Sequence, residues 1–317
     1  MGINLDKPHK WKEDIQKSVD MYNDWFMNFA PEAFRNTRIK TTDDVLNTLS
    51  KTDYYRNISP QLLADNPGIL ATLRMSTCPP IAVDRLIGLA AVNANLVKQI
   101  ENNKKLPIRM PSSELNNELS KICTIILKLL DKDIFPWLSN LNKIDKTEAH
   151  RASTIIADRL CGSIANPIIR NAQEKKQLEL LKTWLEKRGY RQLSEIEKRT
   201  LDNLEVGTFS FHFNVQVKMD IAIGYVNIPV DIVIKPLNKK TPILIEAKSA
   251  GDFTNVNKRR KEEAQKMAQL RNTYGNGIDF ILFLCGYFDT GYLGYEAAEG
   301  IDWVWEHSID DLEYYIS

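Results

Sequence analysis

Two short aliphatic runs, Val230-Asp231-Ile232-Val233-Ile234 and Ile243-Leu244-Ile245-Glu246-Ala247-Lys248, constrain this chain more than any other feature, because each has the composition of a buried strand and each carries charge. Runs of β-branched and aliphatic residues of this length predict strands, and Pro236, Asn238, Lys239 and Lys240 between them supply the chemistry of a hairpin connection. Side chains alternate faces along a strand, so Glu246 and Lys248 share one face and Ala247 points to the other. Pairing as a hairpin brings Asp231 beside Glu246. Two carboxylates about 4 Å apart repel by roughly 4 kcal/mol at an effective dielectric of about 20, so such a pair shares a proton or binds a cation. Oxygen donors favour Mg²⁺, which keeps several waters and takes one or two carboxylates together with substrate phosphate. Lys248 then faces the phosphate or the attacking water.

The flanking segments have a definite order. Arg170-Asn171-Ala172-Gln173-Glu174 opens a predicted helix with Leu178, Leu181 and Leu185 at spacings of three and four, ending at Gly189-Tyr190. Thr208 to Val217 alternates as a half-buried strand should. After Lys248 come a polar turn, a helix from about Val256 to Thr273, the turn Tyr274-Gly275-Asn276-Gly277, and an apolar strand from Ile278 to Cys285.

The first 145 residues have a different pattern. Trp11, Ile15, Val19, Tyr22, Trp25 or Phe26, and Phe29 recur at helical spacing until Pro31, which is expected to stop the run. Such an aromatic stripe predicts core or dimer contact rather than a base-stacking surface. Ser59-Pro60 forms a helix start, and Ile81 to Ile100 and Leu115 to Leu130 continue the helical pattern. Loops are expected at Asn102 to Pro107 and Asn140 to Lys146. The expected division is a helical domain over 1–145 and a sheet-bearing domain over 146–317.

With 317 residues and 43% hydrophobic composition the chain can bury a large core. It contains no run of 18 apolar residues and no signal-peptide pattern, so a cytoplasmic location and no membrane partner are expected. Cys78, Cys123, Cys161 and Cys285 are scattered, and His9, His150, His212 and His307 have no ligand spacing; neither zinc nor a disulfide framework is indicated. A net charge of +1 argues against a general polyanion coat, so any basic surface is local. The clearest cluster is Lys258-Arg259-Arg260-Lys261, continuing to Lys266 and Arg271. A basic helix face suits a phosphate backbone, and a solvated face partly neutralised by Glu262 and Glu263 is the plainer reading.

Pro229-Val230-Asp231 followed after fifteen positions by Glu246-Ala247-Lys248 resembles the PD-(D/E)xK signature of Mg²⁺-dependent nucleases, with the proline one place early. A second (D/E)xK tripeptide at Glu174-Lys175-Lys176 lies in a predicted helix. Pro167 to Glu174, Gly286 to Trp303, and Arg74-Met75-Ser76-Thr77-Cys78-Pro79-Pro80-Ile81-Ala82 are similar to the XamI-type restriction endonucleases. The resemblance implies an α+β (mixed α/β) fold: a restriction-endonuclease-like core, with a central mixed β-sheet flanked by helices, and a large helical N-terminal region for DNA recognition or dimerisation. It implies a type II restriction endonuclease that hydrolyses double-stranded DNA to 5'-phosphate ends, working as a homodimer beside a cognate methyltransferase. Asp231, Glu246 and the backbone carbonyl of Ala247 are then the ligands of Mg²⁺, with Mn²⁺ able to substitute. Lys248 is the catalytic lysine, and Glu174 a further acid.

Other readings stay open. Asp231 has a rival in Asp220, Glu246 and Lys248 could form an exposed ion pair worth little, and Glu174 could be an ordinary helix-surface glutamate. A repair or recombination nuclease of junction-resolvase type would share the three residues, and a non-catalytic DNA-binding module would leave the acids unused.

Overall fold

The aromatic repeat that begins at Trp11 belongs to a helix that runs on through Pro31, α1 (Trp11–Lys51). A proline inside a helix removes one hydrogen bond and crowds the carbonyl four residues back, at a cost of about 3 kcal/mol; here the turns on either side carry the helix across it. The computed structural model describes residues 2–139, 144–194, 197, 200–218, 224–254 and 256–317, with side chains at all of these but 256–259. Chain order continues with α2 (Pro60–Asp65), α3 (Leu70–Met75), α4 (Val83–Ala90), α5 (Ala94–Asn103), α6 (Ser112–Leu129) and α7 (Lys146–Lys187). Ser59 caps α2 as expected, its hydroxyl accepting from Leu62 N–H. The expected run from Ile81 to Ile100 is broken between α4 and α5, where Ala91 turns left-handed and Asn93 caps the next helix. Likewise α7 starts at Lys146 rather than Arg170 and passes through Pro167.

Then follow β1 (Arg191–Gln192), β2 (Thr208–Lys218), β3 (Tyr225–Lys235), β4 (Ile243–Ala250), α8 (Val256–Tyr274), β5 (Asp279–Gly286), α9 (Thr290–Ala298), β6 (Asp302–Trp305) and α10 (Glu313–Ile316). The strands form one six-stranded mixed sheet in sequential order. β2, β3 and β4 pair antiparallel, while β4, β5 and β6 are parallel and joined by α8 and α9. This is the mixed α/β class expected.

The chain forms two compact units, Met1–Phe29 with Arg170–Ser317, and Ala30–Ile169. Both boundaries fall beside a helix-internal proline, Pro31 and Pro167. The partition differs from the division at 145/146 expected from the sequence: the first 29 residues group with the sheet, and residues 146–169 group with the helices. Trp11 lies edge-on to Trp303 at 5.4 Å, and the buried Asp302 carboxylate accepts from the backbone N–H of Ile3, Asn4 and Leu5 and from the Tyr315 hydroxyl. In the Ala30–Ile169 unit the core is built from helix faces, with Val45, Leu73, Leu96, Ile122 and Ile156 among its members.

The sheet has a core on each face. Met267 and Leu270 of α8 and Tyr292 and Leu293 of α9 cover one side. Leu181, Trp184 and Leu185 of α7 and Tyr315 and Ile316 of α10 cover the other. β2 and β3 change sides midway: Phe209, Phe211, Ile232 and Ile234 join the α7 core, and Phe213, Val215, Ile228 and Val230 the α8 core. The clean alternation expected of β2 therefore breaks at His212, whose φ of 48° is left-handed, at the level of Asp231.

Candidate active site

The β3–β4 ladder is short. It pairs Ile234 with Ile243, Val233 with Leu244 and Ile232 with Ile245, and no further pair follows, although β4 continues beside β5 to Ala250. The next residues in register are Asp231 and Glu246, so the two acids sit where the strands fork. Asp231 closes the fork with its side chain, Oδ2 accepting the Ala247 N–H at 2.9 Å in place of a ladder bond. The hairpin inferred from the sequence is thus the hairpin present.

Glu246 is 5% exposed. Its Oε1 accepts from Lys248 Nζ at 2.9 Å and from Lys266 Nζ at 2.7 Å, and its Oε2 is buried and accepts no hydrogen bond. Lys266 also donates to the Pro229 carbonyl at 3.0 Å. Lys248 Nζ stands 3.7 Å from the buried Glu263 of α8. Gln177 of α7 fixes the backbone beneath, donating to the carbonyls of Lys248 at 3.4 Å and Phe283 at 3.3 Å.

Burial raises the Asp231 pKa, the charge of Glu246 adds to that, and the Ala247 N–H and the two lysines oppose it. Burial alone would lower Lys248, but Glu246, Glu263 and Asp231 outweigh it and the net direction is up. The lysine is therefore held as an ammonium.

On the far side of Asp231 lie Glu174 of α7 and His212 of β2; one ligand atom from each of the three lies within 4.8 Å of the others. His212 has no ligand partner by sequence spacing, and the cross-strand register brings it to Asp231. Glu174, Asp231 and His212 together offer two carboxylate oxygens and an imidazole nitrogen to a divalent cation, and Glu246, outside that group, keeps one buried oxygen without a hydrogen bond at the adjoining fork.

The described side chains among the basic residues expected to face DNA have different partners. Lys266 turns into the site. Arg271 donates to the carbonyls of Glu299 and Gly300, Arg260 lies over the Tyr295 ring at 5.1 Å, and Lys261 is exposed. The side chains of Lys258 and Arg259, and the rival acid Asp220, lie outside the described residues. Glu263 and His212 are the members that sequence reasoning did not assign to the site.

Comparison with known proteins gives the class. Residues 53–305 match the family described as XamI restriction endonuclease, and the chain belongs to that family. It is 52% identical over 314 residues to the "Type II restriction enzyme SalI" of Streptomyces albus G, covering 98% of each chain. Among solved structures, protein VC1899 from Vibrio cholerae is 14% identical, with a TM-score of 0.27 over 81% of this chain and 56% of that one, too slight a likeness to bear on the fold. The protein is therefore a restriction endonuclease, and DNA is its substrate. Among the described residues no helix is long and apolar enough to cross a membrane.

Proposed function

We propose that this protein is a type II restriction endonuclease in which Asp231, Glu246 and Lys248 form the hydrolytic centre for double-stranded DNA. The observation that carries the reading is the convergence of these three side chains at the β3–β4 fork, in a chain of this family. Asp231 and Glu246, with the Ala247 carbonyl, would hold Mg²⁺, or Mn²⁺ in its place, and Glu174 and His212 would bind on the outer side of Asp231. The cation, when bound, supplies Lewis-acid stabilisation and an acidified water.

The chain's own residues do the rest. Lys248, held as an ammonium, stabilises the charge that grows on the phosphate oxygens; it does not take the proton from water. Lys266 offsets the charge of Glu246 from α8 and keeps its carboxylate aimed into the fork. Gln177 fixes the carbonyl of Lys248 and so the height at which that side chain enters the site. Lys175 and Lys182 line an open cleft with His212, a surface suited to the DNA backbone beside the fork. Cleavage leaves 5'-phosphate ends. A homodimer, with the Ala30–Ile169 unit contributing to recognition or dimer contact, would cut both strands of a two-fold site, and a cognate methyltransferase in the same prokaryotic cytoplasm would protect host DNA.

The test is incubation of unmethylated phage DNA with the protein and Mg²⁺, followed by end sequencing. Discrete fragments with 5'-phosphate ends at one short sequence are expected. A smear, or cleavage that follows DNA structure, would point to a repair nuclease. Metal-independent behaviour with unchanged DNA binding after Asp231→Ala would point to a non-catalytic module.

A further inference from the structure

Glu263 takes no part in the steps above, yet it is only 1% exposed and reaches the site from α8. One carboxylate oxygen stands 3.7 Å from Lys248 Nζ, and the other accepts the Tyr292 hydroxyl at 3.0 Å. Along the fork the charges alternate: Lys266, Glu246, Lys248, Glu263. Behind Glu263 lies Glu296 of α9, with no exposed surface and with neither oxygen receiving a hydrogen bond. Burial first, and the charge of Glu263 second, push the Glu296 pKa up to about 8. Burial and the neighbouring Glu263 thus favour the protonated form of Glu296.

Two buried acids side by side are a costly way to fill a core, because an apolar pair of similar volume serves stability as well or better. The arrangement does fit a requirement of the site. Lysine is a point charge on a flexible four-carbon stem, and one carboxylate does not fix where its nitrogen sits. Glu246 is shared by Lys248, Lys266 and any cation held at the fork, so its hold on Lys248 weakens when the site is loaded. Glu263 reaches the same ammonium from α8, a different element from the strand that carries Glu246, with its second oxygen held by the Tyr292 hydroxyl.

We propose that Glu263 is a positioning residue for Lys248, keeping its ammonium at the phosphate when Glu246 engages the cation, and that the Tyr292 hydroxyl and the buried Glu296 behind it hold Glu263 in place. The inference rests on the reading of Lys248 as the cation that faces the phosphate.

The experiment is steady-state cleavage of supercoiled plasmid in Mg²⁺ by the full chain and by Glu263→Gln, Glu296→Leu, Glu296→Gln and Lys248→Ala, with DNA affinity measured in Ca²⁺ and thermal midpoints recorded for each. Glu263→Gln should lower kcat by about tenfold or more while KM changes by less than about threefold, the pattern of an interaction made in the transition state. Glu296→Leu should lower kcat several-fold, with Glu296→Gln, which keeps a donor toward Glu263, recovering most of the loss. Parent-like kcat in Glu263→Gln beside an inactive Lys248→Ala overturns the positioning role and leaves the site reading standing. Parent-like cleavage by Lys248→Ala overturns the site reading itself. Should Glu263→Gln fail to fold, Glu296→Leu carries the test, and a kcat equal to the parent's overturns the inference.

Discussion

Glu246→Gln keeps the shape of the side chain and removes the charge shared by Lys248 at 2.9 Å and Lys266 at 2.7 Å. The two lysine side chains are 19% and 21% exposed, so neither contact is a weak surface pair. Removing one partner of a buried ion pair costs about 3–5 kcal/mol. Two features reduce that here. Lys248 keeps Glu263 and Lys266 keeps the Pro229 carbonyl, and the repulsion that helps raise the Asp231 pKa disappears. The loss of attraction to two cations exceeds the relief from one anion, which leaves a net destabilisation of about 2 kcal/mol in the metal-free protein. For a unit of this size that lowers the thermal midpoint by about 4–8 °C. Divalent cation at a hundredfold excess over its dissociation constant should stabilise the parent by about 2.7 kcal/mol and the variant by much less. Cleavage should fall by at least about 100-fold, the scale of losing one electrostatic element of a hydrolytic site. Thermal scans in EDTA and in Ca²⁺, with plasmid linearisation in Mg²⁺, measure all three. A Gln variant at least as stable as the parent in EDTA, or one that gains the same shift with Ca²⁺, refutes the reasoning.

Asp231→Asn should abolish cleavage while DNA affinity in Ca²⁺ stays within about tenfold of the parent, and gel-shift titration beside plasmid cleavage checks it. The Glu296 carboxyl, raised from 4.5 to about 8, holds a proton in the folded protein that the unfolded chain has released, so its contribution to stability is whole below pH 4.5 and is lost as pH rises through about 8. The thermal midpoint of the parent should therefore fall more steeply over that window than that of Glu296→Gln; parallel curves would contradict the assignment. Trp11→Ala removes the edge-on contact with Trp303 and the Nε1–H donated to the Asn4 carbonyl, and should cost about 2 kcal/mol in urea unfolding. Asp302→Ala should release the N-terminal segment and speed tryptic cleavage after Lys10, which mass spectrometry of the digest detects.

Much of the site was legible because strand chemistry is local. The aliphatic flanks of Asp231 and Glu246 predict strands, the hairpin connection sets the register, and period-two alternation puts Lys248 on the face of Glu246. Glu174 was legible only through family resemblance. His212 carried no local signal: it is an exposed residue of an alternating strand, and only the register Phe211 to Ile232 and Phe213 to Val230 sets it at Asp231. Glu263 did carry one. Glu263, Met267 and Leu270 recur at four and three along α8 and are all buried, so the acid lies on the inner stripe, whereas the basic run around it drew the helix as a DNA-facing surface. The helices run on through Pro31 and Pro167, because a proline's local cost says nothing of the tertiary packing on either side of it. The first 29 residues join the sheet-bearing unit through contacts such as Trp11 with Trp303 and Ile3 to Leu5 with Asp302, which span almost the whole chain.

The most direct test of the cation-dependent centre at the β3–β4 fork is an anomalous difference map from crystals of the protein with cognate DNA and Mn²⁺. A peak bonded to the carboxylates of Asp231 and Glu246, with Lys248 Nζ beside the scissile phosphate, is the expected result. Manganese bound elsewhere, or a scissile phosphate remote from Lys248, would contradict the account.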